Sequence, residues 1–310
     1  MMSRAALAVS LVVAVASVCV LAGCGGERAA PPLGAGSAGD APAAGPGKIV
    51  FSSERLPAGL YTMQPDGTGQ VHVPNTVRND EFASWSPDHT KLVFLRNSSG
   101  EICRINVAGS GLLRLTKNVR DWHPRWSPTD DKIVFSRYGT SQSHIWVMNT
   151  DGTGAKQLTS GAWYDTDASW SPDGTKIVFN SSRAGSRCLF VMNANGSHVT
   201  QLTTSAKGAY DWRPAWAPYG GSIAFARGPA GSADIYVIKP SGTGLKQLTT
   251  GTAWDTGPTW SPDSTKIAFE RTPSGSDNAD IHVMRATDGA ILMKLTTNKS
   301  WDAEPGWSKP

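Results

Sequence analysis

The stretch Trp170-Ser171-Pro172-Asp173-Gly174-Thr175-Lys176-Ile177-Val178-Phe179 decides the fold. An aromatic residue ends one extended segment. Pro then fixes φ and Asp-Gly closes a tight turn, and a β-branched, aromatic segment follows. The unit therefore reads as strand, turn, strand, with strands at 167–170 and 176–181. Working outward, CLFVMN at 188–193 is a third strand, Asn195-Gly196 a turn, and HVTQLT at 198–203 a fourth. No stretch carries a sustained helical period.

Trp followed by a Ser-Pro-type turn recurs at Trp85, Trp126, Trp170, Trp216, Trp260 and Trp307, at intervals of 41, 44, 46, 44 and 47 residues. A period of this length with four strands per unit is the signature of a β-propeller. Apolar residues occupy both faces of the second and third strands, as expected where sheets stack on both sides. The two ends are complementary. The first repeat, from Lys48-Ile49-Val50-Phe51-Ser52-Ser53, has no Trp-bearing first strand, and the last segment, 303–307, is a first strand with nothing after it. Together they make one blade. The expectation is an all-β, six-bladed propeller over 48–310, four antiparallel strands per blade, closed by the C-terminal strand joining the N-terminal blade. Closure also removes an exposed sheet edge.

The rest of the 310-residue chain reads as an address. Arg4, an apolar run from Ala5 to Leu21 and small residues before Cys24 describe a secretory signal over 1–23. At 17 residues the run sits at the short limit for a transmembrane helix, the competing reading. Leu21-Ala22-Gly23-Cys24 resembles a bacterial lipobox, which implies that Cys24 is lipidated and becomes the first mature residue. Residues 24–47 are Ala, Gly and Pro rich with almost nothing to bury, and are read as a disordered tether. The protein is thus expected to be exported and anchored to a membrane through Cys24. Cys103 and Cys188 differ in register and are expected to be free, buried thiols. With 29 Lys+Arg against 25 Asp+Glu the net charge is +4, which makes no case for nucleic acid.

Three motifs carry a family resemblance: WSPDGTKIVF at 170–179, IWVMNTDG at 145–152, and Gln-Leu-Thr at 157–159, 201–203 and 247–249. The repeat is similar to that of TolB-type β-propellers and covers about 48–310, nearly all of the mature chain. The resemblance implies an extracytoplasmic propeller used for protein contacts. TolB itself has a folded domain before its propeller where this chain has a tether, so the fold carries over and the partner set does not. The prolyl-oligopeptidase group shares the propeller but needs a hydrolase domain. This chain has no Gly-x-Ser-x-Gly elbow.

The first-to-second and third-to-fourth turns lie on one face, short and uniform; their Asp residues read as turn chemistry rather than calcium ligands. The other loops lie on the opposite face and vary, where binding residues usually gather. Two features concentrate there. An Asp precedes every repeat Trp by five residues: Asp80, Asp121, Asp165, Asp211, Asp255 and Asp302. Either each caps its own loop through backbone N–H groups, or the six form an acidic ring at the channel mouth for a cation or basic peptide. Aromatic residues crowd the same loops: Trp122, Trp163, Tyr164, Tyr210, Trp212, Trp254 and Trp301, with Arg120 and Arg213 among them. They either pack beneath the loops or form a binding face. The six repeat Trp residues are read as core.

No cofactor, metal site or nucleophile–base arrangement is read from the sequence. The short acidic pairs Asp165/Asp167 and Asp302/Glu304 are the candidates for acid/base chemistry. The function read from the sequence is a monomeric, membrane-anchored protein-binding module using its loop-rich face, its partner an envelope protein or peptide, with carbohydrate as a second candidate ligand. The alternative is a polysaccharide-active lyase or hydrolase using loop carboxylates at the channel mouth.

Overall fold

The computed structural model describes residues 47–308 apart from 97–99, 118–119, 130, 206–207 and 230. The signal, Cys24 and all of the tether but Gly47 lie outside the described residues. The described chain forms six four-stranded antiparallel sheets. The first strands of the blades are Asp80–Trp85, Arg120–Trp126, Asp165–Trp170, Tyr210–Trp216, Trp254–Trp260 and Asp302–Trp307. Each touches the first strands of both neighbouring blades, so the six line a central channel.

The ring closes as the repeat pattern requires. Asp302–Trp307 pairs antiparallel with Ile49–Ser53, setting Trp307 opposite Ile49 and Asp302 opposite Ser53. Lys48 N–H donates to Ser308 Oγ at 3.0 Å and Ser308 N–H to Lys48 O at 2.9 Å, a clasp at the seam. Phe51, Phe94, Phe135, Phe179, Phe225 and Phe269 hold the same place in each second strand and are completely buried. The core lies between blades: Val134 and Ile145 of one sheet pack with Trp170 and Phe179 of the next. At the seam, Ile49, Phe51 and Trp307 pack with Ala268 and Ile281 of the last full blade. Cys103 and Cys188 are buried and free.

Two local differences from the sequence reading have physical causes. The outermost strands are shorter than expected; 198–203 contributes only Thr200–Gln201 to the sheet. Such strands pair on one side only and are exposed, and short edges of this kind resist pairing with other chains. The innermost strands are longer than expected and every one is bulged. The fourth blade's begins at Asp165, and its register shifts between Thr166 and Ser169. Equivalent shifts occur in the other five.

Candidate functional site

Counting along each inner strand from its Asp, the register puts side chains in tiers down the channel. One residue before the Asp stand Asn79, Arg120, Tyr164, Tyr210, Trp254 and Trp301; one after it stand Glu81, Trp122, Thr166, Trp212, Thr256 and Ala303. At the bulge, two after it, come Phe82, His123, Asp167, Arg213, Gly257 and Glu304. The repeat Trp lies five after it.

The six Asp carboxylates do not form an open acidic ring. Each is 0–1% exposed and pairs at 2.6–2.8 Å with an arginine: Arg96, Arg137, Arg183, Arg227 and Arg271 for Asp80, Asp121, Asp165, Asp211 and Asp255, and Arg55 for Asp302. Each guanidinium also lies 5.2–5.4 Å over its blade's buried Phe. Burying a carboxylate is costly unless it is paired, so every blade supplies a cation from the end of its own second strand or the loop after it. Loop capping of the expected kind is present at Asp80, whose Oδ2 accepts Val77 N–H at 2.9 Å, but arginine is the partner common to all six.

The bulge tier is where the blades differ. All six of its residues hold φ between 50° and 60°. A non-glycine residue in this region costs about 1–3 kcal/mol and persists only where its surroundings enforce it. His123 Nδ1 lies 2.8 Å from Asp167 Oδ1 of the next blade. Arg213 reaches Glu304 Oε1 at 3.0 Å and Glu270 Oε2 at 3.4 Å. Glu304 Oε2 accepts Phe82 N–H at 2.9 Å. Phe82 stands edge-on to His123 at 4.2 Å and lies 5.1 Å under the Arg213 guanidinium. Phe82 and Arg213 come from blades on opposite sides of the ring, so the channel is bridged at this depth. A Cβ at Gly257 would lie 3.4 Å from Arg213 Nη1, so the missing side chain makes room for the guanidinium.

The charges in this bridge lie close enough to shift one another's protonation. Burial lifts the Glu304 carboxyl well above its ordinary value; Arg213 offsets this only in part, and the nearby Glu81 and Glu270 add to the lift. Burial likewise raises Glu270 against the pull of Arg213. Burial also works to raise Asp167, but His123, with Arg213 and Arg187, more than reverses it and holds that carboxyl well below the usual carboxylate range.

A group whose folded pKa is raised favours folding at low pH, and that contribution is lost as pH rises through the folded value. Glu304→Gln removes that loss and keeps an acceptor for Phe82 N–H. The variant's melting temperature relative to the natural protein is therefore expected to rise between pH 5 and pH 8. An equal offset at both pH values would mean that Glu304 titrates as an ordinary carboxyl.

On the turn-rich side of the bridge is a cavity of about 110 Å³. The six repeat Trp residues surround it, with Arg125 and Arg213 at its inner end and Ser86, Pro87, His89 and Pro128 of the turns at its rim. The Trp residues hold the blades together: Trp85, Trp170 and Trp260 donate Nε1–H to the carbonyls of Gly306, Arg125 and Ala215 in neighbouring blades, at 2.9–3.3 Å.

On the loop-rich side, the expected aromatic set separates by depth. Trp163 is 37% exposed, and Tyr164, Tyr210, Trp254 and Trp301 are half-buried around the mouth beside exposed Arg120. Trp122 and Trp212 lie one tier deeper; Trp122 packs on Phe82 and Tyr138. Trp212 packs against Trp254, ring centroids 6.1 Å apart and planes tilted by 50°, and donates to Thr256 Oγ1 at 3.1 Å. Arg213 does not join this face; it is part of the bridge. The mouth loops are tied to neighbouring blades: the N–H groups of Asp121, Asp211, Asp255 and Asp302 donate to the carbonyls of Gly100, Arg187, Ala233 and Ala279.

The proposed acid/base pairs are split by the same geometry. Asp165 and Asp302 face their arginines, while Asp167 and Glu304 sit in the bridge with other partners. Among the described residues no three His, Cys, Asp or Glu side chains come together to hold a metal. Sequence reading named Asp167, Arg213 and Glu304 of the bulge tier, each for another role, and missed Phe82, His123, Gly257 and Arg125 as well as the tier itself. One signal was available: the column two after each Asp reads Phe, His, Asp, Arg, Gly, Glu, the most chemically varied position of the repeat.

The family model described as TolB beta propeller domain matches residues 117–213 and 206–310. An uncharacterized protein of Agrobacterium fabrum is 29% identical over 110 residues, 32% of this chain and 38% of that relative, so the match spans well under half of the curated protein. Among solved structures, TolB from Acinetobacter baumannii superposes with a TM-score of 0.72 at 21% identity, over 85% of this chain and 67% of its own. An oligogalacturonate lyase in complex with manganese superposes with a TM-score of 0.55 at 14% identity, over 79% and 73% of the two chains.

Proposed function

The chain belongs to the TolB beta propeller domain family, and from that premise we propose that it is an exported, lipid-anchored module that binds an envelope protein or peptide through the aromatic mouth of its channel. The observation that carries this reading is that the chain enters the propeller at the end away from that mouth. The propeller begins at Gly47 and Lys48, beside Trp307 and Ser308, at the Trp end of the inner strands. The collar of Tyr164, Tyr210, Trp254 and Trp301 lies at the other end. A tether from Cys24 would therefore join the domain on its turn-rich face and leave the collar, at the opposite end, clear of the attachment.

Large aromatic side chains with an adjacent Arg make good anchors for a partner. The backbone ties to neighbouring blades fix the mouth before binding, so little ordering cost remains. A polysaccharide-active enzyme is the weaker reading, because Asp165, Asp167, Asp302 and Glu304 are all engaged by Arg or His.

Crosslinking of the full chain in its own membrane tests both parts. Trp254→Ala/Trp301→Ala is expected to cut capture of specific partners by tenfold or more, at about 2 kcal/mol per hot-spot aromatic, while Cys24→Ser moves the protein to the soluble fraction. Unchanged capture by the double variant would show that the collar is not the binding face.

A further inference from the structure

The tier four residues after each Asp holds Ser84, Arg125, Ser169, Ala215, Thr259 and Gly306. Five blades place a small residue there and one places an arginine. The five small residues leave the Trp-lined cavity open, and Arg125 lies at its inner end. No carboxylate of a described residue lies within ion-pair distance of Arg125. Its Nη1 donates to the carbonyls of Phe82 at 3.2 Å and Pro124 at 3.1 Å, and no acceptor among the described residues meets Nε or Nη2. The neighbouring Arg213 is a different case, held by two carboxylates. Beside Arg125, Trp126 is 7% exposed and its Nε1–H has no acceptor among the described residues.

Arg125 is half-buried, so its free donors face the cavity and a ligand there would replace water rather than rescue a sealed charge. Burial lowers the Arg125 pKa and the neighbouring Arg213 adds to this; Glu304 and Asp167, neither in ion-pair contact with it, offset the shift only in part. A planar, two-pronged donor set matches a carboxylate, and the match is strongest out of water. The cavity is of the same order as apolar cavities of ~150 Å³ that accept benzene. We propose that this funnel, on the face opposite the aromatic collar, is a binding site for a small carboxylate seated on Arg125 with its organic body among the repeat Trp rings.

The carboxylate has two possible sources, a free organic acid or an acidic side chain of a peptide. Asp40, seven residues before Gly47, is the nearest acidic side chain on the tether. The test titrates full-length protein with benzoate, following Trp fluorescence, with benzamide as the neutral match. Benzoate is expected to give a saturable change, with benzamide at least tenfold weaker. Arg125→Ser, which copies the residue of two sister blades, is expected to bind benzoate about tenfold to hundredfold more weakly. It should melt no lower than the natural protein. Asp40→Asn separates the sources: tighter benzoate binding means that the tether's own carboxylate competes for the site, and unchanged binding means that the carboxylate comes from outside the tether. No saturable signal from the natural protein and from Asp40→Asn, equal binding of benzamide, or equal binding by Arg125→Ser overturns the proposal. The benzamide comparison stands even if the variant is unstable.

Discussion

Removing residues 302–310 is expected to abolish cooperative folding. The deleted strand fills the first place in the N-terminal blade, opposite Ile49–Ser53, whose five residues are all buried. Its loss takes away Trp307 and Ala303, the Ser308 clasp and Asp302, the carboxylate paired with Arg55. Truncating a single buried Trp to Ala costs about 3–5 kcal/mol, and a whole domain is stable by only about 5–15 kcal/mol. The cut also exposes an unpaired strand edge, a template for aggregation. The graded version is Trp307→Ala, expected to lower the melting temperature by roughly 10 °C for a domain of this size. Trp163→Ala, at 37% exposed, serves as the control and should change it little. A truncated protein that melts cooperatively near the natural temperature would mean that five blades and a fragment are self-sufficient, and the closure argument would fail.

The features legible in the sequence are those that repeat. Trp170, Pro172 and the Asp173-Gly174 turn recur at a fixed spacing because each blade needs the same strand, turn and inter-blade contact. The complementary ends show closure because a strand without partners must find one. The channel was less legible for the opposite reason. Its bulge residues do not repeat, so Asp167, Arg213 and Glu304 read as parts of separate features, and strict strand alternation gives no reason to join them. In fact positive φ breaks the alternation and turns them into the channel bridge. Arg125 escaped notice because its distinction is positional: it is ordinary alone and exceptional only against Ser84, Ser169, Ala215, Thr259 and Gly306. The repeat Trp residues read as core and are buried, yet they also wall the cavity. Arg96, Arg137, Arg227 and Arg271 do carry a signal, standing two residues after the second-strand Phe, but only the three-dimensional pairing connects them to an Asp 16 residues earlier.

That pairing makes the second strong prediction. Arg227→Met is expected to destabilise the propeller by about 2–4 kcal/mol. Removing one partner of a fully buried pair costs about 3–5 kcal/mol, reduced here because Arg227 is 14% exposed and water can partly screen what remains. Asp211, 0% exposed, would be left with the Thr203 hydroxyl as its remaining side-chain partner. Asp211→Leu alone strands the cation instead, but its guanidinium can turn toward solvent, so a smaller loss is expected. Asp211→Leu/Arg227→Met removes both charges and should recover most of the stability, because replacing a buried pair by apolar side chains is often neutral. A double-mutant cycle by chemical denaturation measures the coupling, expected at about 1–3 kcal/mol. The same experiment separates the two roles open to the six carboxylates. A ring that served a cation would gain divalent-ion stabilisation when an arginine competitor was removed, so Arg227→Met would melt higher with calcium than without. Asp–Arg pairs that hold each blade's loop end in place predict no such gain, and a cost that appears separately at each of the six blades.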